Sequence, residues 1–62
     1  MDSRSVISKL IEAGWTKVAQ RGSHLQFKHP VKKGKVTVPL PVKDIPIGTL
    51  RSIEKQSGLK FR

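Results

Sequence analysis

Two histidines are the side chains of this chain that can take up and release a proton near neutral pH, since an imidazole ordinarily titrates at ~6.5. His24 lies in the run RGSHLQFKHP, residues 21–30, directly after Gly22 and Ser23, with Arg21 and Lys28 close by and no acidic residue near. A neutral base among cations suits chemistry on a phosphate. Gly22 has a conformational task at a turn, either a positive φ or close approach of backbone to a ligand. Ser23 can bond a phosphate or, as is commoner at turns, the backbone. It is a poor candidate nucleophile, because no Asp or Glu is placed to orient a histidine behind it. His24 and His29 do not make a metal pair. Five residues apart on a strand they face opposite sides, and no Cys or acid completes a ligand set. His29 shares parity with Leu25 and Phe27, which gives it a structural role.

These residues need elements to hold them. Asp2 or Ser3 can cap a helix whose apolar residues Val6, Ile7, Leu10 and Ile11 follow helical spacing, with Gly14 as its stop, giving a helix over 3–13. Residues 15–20 read as a first strand, with Arg21-Gly22 as a turn. Residues 23–29 alternate, Leu25 and Phe27 against His24, Gln26 and Lys28, and Pro30 ends that strand. The turn VKKG leads to a third strand over 35–38, with Val36 and Val38 inward and Lys35 and Thr37 outward. A second helix over 46–57 starts with Asp44 as its cap and stops at Gly58, with Leu50 and Ile53 on one face. Trp15 reads as a core anchor rather than a base-stacking platform, and Leu59 and Phe61 fold back on the core. The order is α-β-β-β-α: an α+β fold with a three-stranded antiparallel sheet and both helices on one face. His24, Gln26, Lys28, Lys35 and Thr37 then share the other face.

With 62 residues the chain makes a single domain, 1–62, too small for a deep substrate cavity. A shallow surface site suits a polymer. Thirteen Lys and Arg stand against four Asp and Glu, a formal charge of +9. Between Glu12 and Asp44 there are seven basic residues and no acid, so the sheet region is one positive field that calls for a polyanionic partner. No apolar run approaches the ~20 residues of a membrane span, the N-terminus lacks a signal-peptide core, and there are no cysteines. These features point away from membranes and toward the cytoplasm.

The segments LIEAGW, GSHLQFKHP, VTVP and IPIGTLRSI occur in the order and spacing of HicA toxins, and the chain resembles that family along nearly its whole length. The resemblance implies a fold like the double-stranded-RNA-binding domain. It also implies metal-independent cleavage of mRNA by the toxin of a type II toxin–antitoxin pair, with no cofactor. The family's functional histidine falls on His24. The implied partners are mRNA and a HicB-like antitoxin that covers the active site, the free toxin being a monomer and the silenced one part of a hetero-oligomer. Two places depart from the family. Leu40 stands where many members have a histidine after the third strand, and residues 25 and 26, often polar or His, are Leu and Gln.

On this reading His24 is the general acid or base for attack by the 2′-hydroxyl of RNA. Lys28 and Lys35 hold the phosphate and stabilise charge in the transition state, and Gly22, Ser23, Arg21, Lys32 and Lys33 add RNA contacts. With no second proton-transfer group in the sequence, the enzyme would be slow. A non-catalytic RNA-binding domain of the same fold would share the charge and leave RNA intact, and a protein-interaction domain would show no RNA affinity near physiological salt.

Overall fold

A computed structural model describes residues 1–61. Asp2 caps the first helix, α1 (Ser3–Glu12), and its side chain accepts from the Ser5 amide. Hydrogen bonding from the Ser5 side chain, with a further bond from its backbone, lowers the Asp2 carboxyl below its ordinary value, which slight desolvation only partly opposes. Val6 and Leu10 form the buried stripe of α1, while Ile11, expected on that stripe, is 58% exposed. Ala13 is the C-cap.

Three strands follow: β1 (Thr16–Arg21), β2 (His24–Lys28) and β3 (Lys35–Pro39), in sheet order β1-β2-β3 with both pairings antiparallel. On β2 and β3 the expected alternation holds, with Leu25, Phe27, Val36 and Val38 buried. The edge strand β1 buries nothing fully, and its pairing shifts register between Lys17 and Ala19, leaving Val18 as the extra residue of a bulge. Such a bulge twists an exposed edge and discourages further pairing.

The second helix, α2 (Ile47–Ser57), lays Leu50 and Ile53 on the sheet beside α1, and its contacts fall on β3. Asp44 does not cap it. Pro46 is the N-cap, with no side-chain hydrogen bond, and the Asp44 carboxylate instead meets the N-terminal ammonium at 3.1 Å. The link into α2 is held from a distance. Buried Ser3 donates its Oγ proton to the Pro39 carbonyl and accepts there from the Val42 amide, and its own amide donates to the Val42 carbonyl at 2.9 Å. Leu59 and Phe61 pack against the core as expected, and Trp15 is 2% exposed within it. The result is two helices over one face of a sheet whose other face is uncovered.

Candidate nucleic-acid interface and its histidine

The turn between β1 and β2 is one residue later than the sequence suggested. Arg21 belongs to β1 and pairs with His24, so the link is Gly22-Ser23 alone. Gly22 has φ +57° and Ser23 keeps a negative φ, the sign pattern of a type II′ hairpin turn, which wants glycine at its first central position. The turn is fixed from both sides. Gln20 donates from Nε2 to the Gly22 carbonyl at 3.1 Å, and the Leu40 amide donates to the Ser23 carbonyl at 2.6 Å. His24 therefore leaves a braced turn, with its ring exposed and no hydrogen bond to any described residue.

Strand pairing sets the neighbours of His24 on the open face. Cα partners share a face and stand ~5 Å apart. One row across the sheet is Arg21–His24–Pro39, the next is Ala19–Gln26–Thr37, and the third is Thr16–Lys28–Lys35. Lys28 and Lys35 share the face of His24 but lie four residues along, about 13 Å away at ~3.3 Å per residue. The cation beside His24 is Arg21. Lys28 and Lys35 face each other, and like charges directly opposite cost folding free energy unless an anion lies between them.

Lys32 and Lys33 are not brought to this place. They lie in the β2–β3 loop at the opposite end of β2, and Lys32 donates from Nζ to the Ser57 carbonyl at 3.0 Å, capping the end of α2. His29 sits at the start of the same loop. Its Nδ1 accepts from the amides of Val31 and Lys32 at 3.0 and 3.1 Å, which leaves Nε2 to donate to the Ala13 carbonyl at 3.0 Å. Its ring also meets Trp15 edge-on, with centroids 5.3 Å apart. With both nitrogens engaged, His29 is a brace between α1 and the loop.

Leu40 packs its side chain against the core, so that position contributes no group to the face of His24. A surface hollow of about 300 Å³ is lined by residues 2–4 and 40–43 and does not include His24. Among the described residues no group of three or more His, Cys, Asp or Glu could hold a metal ion, and no helix is long and apolar enough to cross a membrane. The arrangement is a flat cationic face with one accessible imidazole, fit for an extended anion. What sequence reasoning left unassigned is the middle row. Alternation put Gln26 and Thr37 outward, but only the register sets Ala19 beside them.

These features define an α+β domain of the double-stranded-RNA-binding type with an open basic sheet. The sequence pattern of the family described as HicA toxin of bacterial toxin-antitoxin matches residues 3–59, and the chain belongs to that family. A solved structure titled HicA3 and HicB3 toxin-antitoxin complex is similar to it, with 33% sequence identity, all of both chains covered and a TM-score of 0.85. None of the curated proteins matches in sequence. The chain is thus a toxin of a toxin–antitoxin pair.

Proposed function

We propose that this toxin is an endoribonuclease that cleaves mRNA without a metal, with His24 moving the proton. The pairing of accessible His24 with Arg21 on an uncovered basic face carries this reading. RNA supplies its own nucleophile. The 2′-oxygen attacks the neighbouring phosphorus while its proton passes to the imidazole. The P–O2′ bond forms as the P–O5′ bond breaks, and the imidazolium returns the proton to the leaving 5′-oxygen. The ends are a 2′,3′-cyclic phosphate and a 5′-hydroxyl, and the balance calls for no co-reactant. The planar fork of Arg21 suits the equatorial phosphate oxygens, where charge grows in the transition state. Lys28 and Lys35 hold a neighbouring stretch of the backbone instead. Ser23 and the Gly22 backbone border the same phosphate.

The test is cleavage of a long RNA, with EDTA present, by the wild type and by His24→Ala at equal folding. The variant is expected to lose at least ~10²-fold in rate, the usual worth of one acid–base group. Unchanged cleavage would end the assignment. Binding without any cutting by the wild type would make the domain a passive RNA-binding module. A HicB-like antitoxin laid over the same face is the proposed silencer, supported by the HicA3–HicB3 complex. Its action, like that of the toxin on mRNA, belongs in the cytoplasm. Expression of the chain is expected to arrest growth, and co-expression of a cognate HicB-like antitoxin to relieve the arrest.

A further inference from the structure

Gln26 follows His24 by two residues on the same strand and face, about 7 Å along. A strand whose phosphate lies at His24 therefore passes within reach of the Gln26 side chain. The Gln26 side chain is half-buried, yet its amide makes no hydrogen bond to any described residue and stays accessible. One cross-strand neighbour is Thr37, with a hydroxyl. The other is Ala19, the smallest side chain in the three rows, which leaves a shallow step beside the amide.

We infer that Gln26 selects where the strand is cut, by reading the Hoogsteen edge of the nucleotide held at His24, with adenine preferred. The inference rests on the ribonuclease reading and goes beyond it by naming the base. The charge of the face makes a nucleic-acid strand its occupant, since no acidic residue lies in any of the three rows. Stacking cannot make the choice. The side chains of Trp15 and Phe27 are buried on the core side, Phe61 packs against the same core, and stacking accepts every base. Discrimination is left to hydrogen bonds at the base edge. On the Hoogsteen edge of an unpaired base, a primary amide, with one donor beside one acceptor, complements adenine's N7 and N6 amino group, and a good bidentate contact discriminates by roughly 5- to 150-fold. Guanine's corresponding edge shows two acceptors and leaves the amide oxygen unmatched.

The experiment maps cleavage ends on a long mixed-sequence RNA for the wild type, Gln26→Ala, Gln26→Glu and Gln26→Thr, with melting curves to confirm folding. The threonine variant keeps a strand-favouring residue where alanine loosens the sheet. The wild type is expected to show adenine enriched about tenfold beside the cut. Gln26→Ala and Gln26→Thr should still cut, with that enrichment reduced to about twofold or less. Gln26→Glu should lose the adenine preference as well, since a carboxylate has no donor for adenine's N7. A folded Gln26→Ala or Gln26→Thr that keeps the wild-type base profile, or a wild type without adenine enrichment, overturns the inference while leaving cleavage intact. A wild type that cuts nothing removes the ribonuclease reading and this one with it.

Discussion

His24 and His29 differ by what their nitrogens touch, and that difference can be measured. His29 ties three backbone groups together and abuts Trp15. Replacing it with alanine strands the Ala13 carbonyl and removes an aromatic edge contact. The part-buried bond to Ala13 and the ring contact are each worth ~1 kcal/mol, and the exposed Val31 and Lys32 amides turn largely to water, so His29→Ala should lose about 2–3 kcal/mol. In a domain this small that lowers Tm by roughly 10 °C or more. His24→Ala touches no described partner and should stay within ~0.5 kcal/mol of the wild type. Cleavage should show the reverse order, with His29→Ala active per folded molecule. A His24→Ala protein that melts as early as His29→Ala would give His24 a structural role.

At the scale of elements, two glycines hold positive φ for reasons that can be separated. Gly22 has φ +57° and open space where a Cβ would project, so Gly22→Ala carries only the cost of a positive φ, roughly 1–3 kcal/mol. Gly14 has φ +98°, and a Cβ there would lie 2.9 Å from Nε2 of His29, so Gly14→Ala must displace the brace as well. Chemical denaturation should rank Gly14→Ala clearly below Gly22→Ala, and combining His29→Ala with Gly14→Ala should be less than additive. An additive pair would mean that the contact at Gly14 carries no free energy. The same elements show what was legible in the chain. Period-two runs at Leu25–Phe27 and Val36–Val38, helical spacing at Val6–Leu10 and the stop at Gly58 are local signals, and the fold follows from them. The turn was read one residue early because the bulge at Val18 leaves no local mark. Asp44 was read as a cap because its actual partner, the N-terminal ammonium, lies 43 residues away. The outward position of His24 was readable by parity. Its pairing with Arg21, and the place of Lys35 opposite Lys28, came only with the register.

For the whole molecule, a formal charge of +9 calls for a polyanion but does not say where the proposed RNA strand lies, because Arg51 and Lys55 on α2 are exposed like Lys28 and Lys35 on the sheet. Salt dependence can separate the two sides. Each phosphate neutralised on a single strand contributes about −0.7 to the slope of log K against log salt, so contacts from Arg21, Lys28 and Lys35 should give a slope of roughly −2. Binding is best measured on the His24→Ala background, where the strand stays whole. Adding Lys28→Ala and Lys35→Ala should flatten the slope to about −0.7. Arg51→Ala with Lys55→Ala, on the helix side, should leave it nearly unchanged. Lys32→Ala should leave the slope and lower stability, because its ammonium caps Ser57. The sheet pair carries a further signature. Since Lys28 and Lys35 repel across the β2–β3 ladder, removing them should leave the free protein as stable as before or more so, by ~0.2–1 kcal/mol. Weaker RNA binding together with unchanged or higher stability is the mark of charges kept for a ligand. If the helix-side pair flattened the slope and the sheet pair did not, the strand would lie over the helices, away from His24, and the catalytic face would have to be sought there.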